Sequence, residues 1–144
     1  MELRKSAKAI IFDKVDGALK FLIVKKEYKD YNYWQFVGGG IEKGESPKDT
    51  ISREIKEELS IQDINGIKQL TCKSIGYKFP NDKHEKEVTF CLVKLNSKLP
   101  IKLDEEHTRY LWGSKEEIMI TLMFEQQKRD FELIVKENFN FLMK

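Results

Sequence analysis

Three carboxylates, Glu54, Glu57 and Glu58, fall within the short run Glu54-Ile55-Lys56-Glu57-Glu58. On a helix, Glu57 and Glu58 are the i+3 and i+4 neighbours of Glu54, so all three share one side. Like charges at these spacings cost a few tenths of a kcal/mol each when exposed, and more beside a low-dielectric wall. Ile51, Ile55 and Leu59 form the adjoining apolar stripe, which places Glu58 at the edge of burial. One reading is a solvated face on which Arg53 and Lys56 soften the repulsion. The other is a divalent cation among the carboxylates. A few hard oxygen donors, with room left for waters and phosphate oxygens, suit Mg²⁺, with Mn²⁺ as the alternative.

The helix that must carry them has a well-marked start. Ser46 is the N-cap, Pro47 the first helical residue and Asp49 stands three past the cap, so a helix is predicted from there to about Leu59. Upstream, Ala7–Phe12 and Leu19–Val24 read as strands joined by a turn at residues 13–17, and Tyr31–Val37 as a third strand ended by Gly38-Gly39-Gly40. Downstream, Ile67–Tyr77, Val88–Leu95 and Tyr110–Trp112 read as strands. SKEEIMITL and an amphipathic run from Glu125 to Phe139, with Phe131, Ile134, Val135 and Phe139 apolar, read as helices. Strands, helix, strands, helices in that order predict one α+β layered domain over residues 1–144 with a mixed sheet.

Gly39, Glu45, Arg53-Glu54 and Glu57-Glu58 follow the spacing G-x5-E-x7-R-E-U-x-E-E, with Ile55 and Ile61 at apolar positions. This pattern resembles that of the Nudix hydrolases, from which it departs at Ser60, where the family has glycine, and at Val37, where proline often precedes the glycines. The resemblance implies a Nudix-type α/β/α sandwich with a central mixed sheet, Mg²⁺ or Mn²⁺ as cofactor, and hydrolysis of a nucleoside diphosphate linked to a further group. It makes Glu54, Glu57, Glu58 and the carbonyl of Gly38 metal ligands, and Arg53 and Glu45 the pair that braces the glycine loop against the helix. A left-handed Ser60 costs about 1 kcal/mol relative to glycine.

The segment from Asp104 to Trp112, with Glu106-His107 before Tyr110-Leu111-Trp112, is similar to the tail of the asymmetrical diadenosine tetraphosphate hydrolases. On that pattern Glu106 is the distal carboxylate, binding metal or acting as base, against the alternative of a solvated acidic turn. His107 is read as structural or as a phosphate contact. Tyr33, Tyr77 and Phe79 are candidates to stack on a base, with core packing the alternative, and Lys83 and Lys86 are candidates to clamp phosphates. The resemblance implies cleavage of diadenosine tetraphosphate into ATP and AMP. RNA 5′-pyrophosphohydrolysis, a small nucleoside or pterin triphosphate substrate, and a non-catalytic nucleotide-binding module are the competing expectations.

Composition narrows the partners. Basic residues number 26 against 24 acidic, for a net charge of +2. No global field for nucleic acid results, so a small nucleotide is the expected partner, DNA is not, and an RNA 5′ end is the lesser alternative. Nothing in the chain reads as membrane-spanning or as an export signal, which predicts a cytoplasmic protein. Cys72 and Cys91, both in apolar strands, are expected as buried, reduced thiols. Oligomeric state is left open by the sequence.

Overall fold

In the computed structural model, which describes residues 4–28, 30–64, 66–78 and 83–144, the apolar run Ala7–Phe12 is the middle of a longer strand, β1 (Arg4–Val15). Its side chains alternate between two cores. Ala7, Ala9 and Ile11 join one apolar cluster, while Ile10 and Phe12 join the other. A turn at Asp16-Gly17, both with positive φ, returns the chain along β2 (Ala18–Tyr28). β3 (Tyr31–Gln35), β4 (Val37–Gly40), β5 (Ile67–Tyr77), β6 (Lys86–Lys94) and β7 (His107–Gly113) complete the sheet.

The sheet runs β3-β2-β1-β6-β5, with β4 on β1 and β7 on β2. β1 and β6 are parallel and the other pairs antiparallel, so the sheet is mixed. β1 changes partner along its length: Ile11–Val15 pair with β2, whereas Ser6–Ala9 pair with β4.

The expected break at the glycines is not what forms. Gly38–Gly40 are strand residues, and the interruption falls two residues earlier, at Phe36. Their missing side chains explain it: a Cβ on Gly38 would collide with the carbonyl oxygen of Ala7 and stand 2.9 Å from the Cα of Lys8. Glycine lets β4 lie against β1, rather than ending the sheet.

Helix α1 (Pro47–Leu59) covers one face and buries Ile51, Ile55 and Leu59 with Ala7, Ala9, Ile11, Leu22 and Val24. The other face carries α2 (Lys115–Thr121), α3 (Glu125–Glu137) and α4 (Phe139–Met143), which bring Ile118, Phe131, Ile134, Val135 and Leu142 onto Ile10, Phe12, Phe21 and Ile23. The layers are helix, mixed sheet, helices, as the resemblance implied. The amphipathic run expected to reach Phe139 ends at Glu137. Asn138 leaves the helical conformation with its side-chain amide donating to the carbonyl of Ile134 at 2.8 Å, and Phe139 is 51% exposed.

Ser60 closes α1 at φ 60°, the left-handed position. Its hydroxyl donates to the carbonyl of Lys102 at 2.8 Å, a bond glycine could not make. The two effects oppose each other at about 1 kcal/mol each. Ser60→Gly is therefore expected to leave the melting temperature nearly unchanged, while Ser60→Ala, which keeps the strain and loses the bond, lowers stability by about 1 kcal/mol in denaturant titrations. Cys91 is buried and its thiol is pushed up to about 11 by burial. The side chain of Cys72 and the whole of Phe79 lie outside the described residues. Among the described residues, no helix is long and apolar enough to cross a membrane.

Candidate active site

The capping box predicted at the start of α1 is complete: the Ser46 hydroxyl accepts from the Asp49 amide at 3.1 Å, and the Asp49 carboxylate accepts from the Ser46 amide at 3.0 Å. It fixes the register of the helix, and with it which side chains face β4. Glu54 and Glu58 point to the glycine strand. A Cβ on Gly39 would collide with the Glu54 carboxylate, so the glycine makes the seat in which Glu54 lies. The amide of Gly38 donates to Glu58 Oε2 at 3.2 Å.

Arg53 gathers this corner. Its guanidinium donates from Nε to Glu45 Oε2 at 2.8 Å and from Nη2 to Glu45 Oε1 at 3.0 Å, a bidentate pair. It also reaches Glu54 Oε1 at 2.8 Å and the carbonyl of Gly40 at 3.0 Å, with Glu57 farther away at 3.5 Å. The bond from Arg53, reinforced by the Glu42 amide, holds the Glu45 carboxyl down at about 2. One side chain thus ties the loop after β4 to α1.

Glu58 is 2% exposed, deeper than the edge position read from the helical stripe. Burial and the neighbouring Glu54 carboxyl push its pKa well above the ordinary carboxylate range, while the Lys8 ammonium and the Gly38 amide act in the opposite direction. A carboxyl raised on folding contributes stability while it keeps its proton. That contribution is full at low pH and fades as pH rises through the folded-state value. In chelator, the protein is accordingly expected to lose stability as pH rises over that interval, and Glu58→Gln, which cannot ionise, to melt at least as high as the parent at neutral pH. A markedly lower melting point for the variant would contradict this.

Two carboxyls pressed together in this way, their repulsion only partly offset by Arg53, Lys8 and the Gly38 amide, fit a hard divalent ion. Magnesium commonly takes only one or two protein carboxylates and completes its shell with water and phosphate. Glu57, 56% exposed at the side chain, stands beside the pair on the same helix face. Among the described residues no three acidic or histidine side chains converge into a ready-made cage. The arrangement is a two-carboxylate seat with a third carboxylate at its rim.

Other expected site residues distribute unevenly. Glu106 is exposed in the turn before β7, and its carbonyl accepts from the amide of Glu27 at 3.1 Å; its neighbour His107 is the residue that meets Glu58, at 3.2 Å. Tyr33 and Tyr77 do not present rings for stacking. They are 2% and 3% exposed and pack edge-on against Phe124 and Phe90, so the apolar core claims both. Lys83 is exposed, and Lys86 starts β6 close enough to Lys8 to lower its pKa.

The sequence reading missed Lys8, Gln35 and Asp104. Lys8 is buried with its ammonium donating to Gln35 Oε1 at 3.0 Å, and burial lowers its pKa to about 8 despite the nearby Glu58 and Glu54. The signal was present: a lysine inside the apolar run Ala7–Phe12 has no place on a strand buried on both faces unless an acid awaits it. A cavity of about 900 Å³ lined by Phe12, Leu92 and Phe141 opens at the far end of β1 and contains none of these residues.

Comparison with known proteins agrees with the motif. The NUDIX domain profile matches residues 2–134. An RNA pyrophosphohydrolase from a Nitratiruptor species is 36% identical over 84 residues, 54% of this chain and 54% of that protein. The asymmetrical bis(5′-nucleosyl)-tetraphosphatase of Caenorhabditis elegans is 29% identical over 113 residues, covering 78% of this chain and 80% of that one. The chain thus spans about half the length of the first of these relatives and four-fifths of the second. Among solved structures, a C. elegans Ap4A hydrolase binary complex superposes with a TM-score of 0.75 at 23% identity over 94% of this chain and 99% of the other, a likeness of fold.

Proposed function

This chain belongs to the Nudix hydrolase family, and on that premise we propose that it hydrolyses a nucleoside polyphosphate, diadenosine tetraphosphate being the substrate that its features favour. The observation that carries the reading is the Glu54–Glu58 pair, seated on the glycine strand and braced by Arg53 and Glu45. Glu54, Glu57, Glu58 and the Gly38 carbonyl are the groups we assign to Mg²⁺ or Mn²⁺. When bound, the ion offsets the charge of the polyphosphate and lowers the pKa of water beside it.

The chain's own residues set up the rest. Arg53 and Glu45 keep the loop after β4 fixed against α1, so that Glu54 is aimed before substrate arrives. Lys8 places a positive charge beneath Glu58, and Lys86 adds a second near the same corner. In the reaction, the oxygen of water bonds to phosphorus, the bond from that phosphorus to the bridging oxygen breaks, and the tetraphosphate yields ionised ATP and AMP, with both hydrogens of the water released as protons. Glu106 stands on an exposed turn, anchored there through its main-chain carbonyl, and we assign it the role of the distal base or metal-binding carboxylate. We also place the activity in the cytoplasm and in a single domain.

Support for this substrate comes from Glu106-His107 before Tyr110-Leu111-Trp112, and from the length over which the C. elegans tetraphosphatase aligns. An RNA 5′ end is the second reading, favoured by the higher identity of the Nitratiruptor relative. A panel of dinucleoside polyphosphates, nucleoside triphosphates and 5′-triphosphorylated RNA, each with and without Mg²⁺, separates them by product. ATP plus AMP from the tetraphosphate supports the first reading; turnover confined to RNA replaces it with the second.

A further inference from the structure

Glu58 is the most enclosed carboxylate of the site, and a carboxylate on a flexible stem turns easily about its last torsion. Here one oxygen is hydrogen-bonded, while the other and the histidine nitrogen facing it are buried in close approach with no hydrogen bond formed among the described residues. Oε2 accepts from the Gly38 amide at 3.2 Å, and Oε1 faces Nε2 of His107 at 3.2 Å. The ring is held at its other nitrogen, where Nδ1 lies 2.7 Å from Asp104 Oδ1, and the same oxygen accepts from the His107 amide at 3.1 Å. His107 is buried, with its side chain 4% exposed, and Asp104 is half-buried at 29%. The chain is therefore Asp104 to His107 to Glu58, running from a loop through the first residue of β7 to α1.

The sheet supplies the aim. β7 pairs with β2 in regular register from Gly113 to Arg109, and the register then shifts between Lys25 and Lys26, where His107 is the partner. An irregularity of this kind turns a side chain that a regular ladder would send elsewhere. His107, with one ring nitrogen at 2.7 Å from Asp104 and the other at 3.2 Å from Glu58, lies between the two carboxyls.

We propose that His107, oriented by Asp104, is a positioning residue that fixes the plane of the Glu58 carboxylate and so sets the affinity of the site for its divalent ion. The proposal rests on the reading of Glu58 as a metal-binding carboxylate. Partners that orient ligands from behind are worth about 10- to 100-fold in metal affinity. His107→Leu removes the contact, whereas His107→Gln keeps a nitrogen at the place of Nε2.

The test is Mn²⁺ binding to the full chain without nucleotide, followed by the electron paramagnetic resonance signal of the free ion. His107→Leu is expected to weaken binding about 10- to 100-fold, and His107→Gln to recover it to within a few-fold of the parent. Asp104→Ala should weaken binding in the parent background and have no further effect beside His107→Leu, because the two act through one chain. Parental affinity in His107→Leu, or an equal effect of Asp104→Ala in both backgrounds, would overturn the proposal. If His107→Leu does not fold, the half-buried Asp104→Ala decides: unchanged Mn²⁺ affinity there overturns it as well. Failure of the parent to bind Mn²⁺ at all would instead remove the functional reading on which the proposal stands.

Discussion

Glu57→Gln lowers kcat about a thousandfold, roughly 4 kcal/mol of barrier, while the melting temperature stays within a degree or two of the parent. The expectation follows from how differently the three helix carboxylates are placed. Glu58 is buried beside Gly38 and His107, where its proton already bears on stability, and Glu54 is held by Arg53 and the Gly39 seat, so changing either alters the stability of the fold as well as any ligand. Glu57 is mostly exposed and, among the described residues, its one ion pair is with the guanidinium of Arg53, at 3.5 Å. Exposed ion pairs are worth about 0–1 kcal/mol. A charge that matters little to the fold and a great deal to turnover is a charge kept for a ligand. Steady-state kinetics beside a thermal melt checks both halves, and near-parental kcat would take Glu57 out of the metal's surroundings.

The adjacent glycines separate fold from function in a second way. A Cβ on Gly38 meets backbone: it would collide with the Ala7 carbonyl and lie 2.8 Å from the Cδ and 2.9 Å from the Cα of Lys8. Backbone paired in a sheet cannot step aside, so Gly38→Ala is expected to cost about 3 kcal/mol, read as a lower denaturation midpoint. A Cβ on Gly39 meets only the end of a side chain, the Glu54 carboxylate. Gly39→Ala should fold nearly as well as the parent yet turn over about 100-fold more slowly, because Glu54 is pushed off its seat. Full activity in Gly39→Ala would show that the seat is not where Glu54 works.

Local signals made α1 and its cargo legible. A cap, a proline at the first position and a stripe of Ile51, Ile55 and Leu59 fix where the helix starts and which side it buries, and three carboxylates at i, i+3 and i+4 then share a face whatever the tertiary context. The pairing of Arg53 with Glu45, eight residues apart, was implied by the family resemblance, and the structure contains it. What depends on approach between distant segments was not legible. Glycines that break a strand in isolation extend one when β1 lies within reach of a Cβ. Tyr33 and Tyr77 carry the same aromatic rings as a stacking platform, and only the packing of α3 and β6 decides that they belong to the core. His107 and Asp104 gained their place from a register shift in β7 that no periodicity announces. Phe139 left the apolar face because Asn138 ends α3 one residue too soon.

Anomalous diffraction from crystals of the chain grown with Mn²⁺ and a non-hydrolysable dinucleoside polyphosphate tests the central claim most directly. The account predicts manganese peaks bounded by the carboxylates of Glu54, Glu57 and Glu58, with polyphosphate oxygens against them. Polyphosphate bound at that corner with no manganese between it and the helix would contradict it.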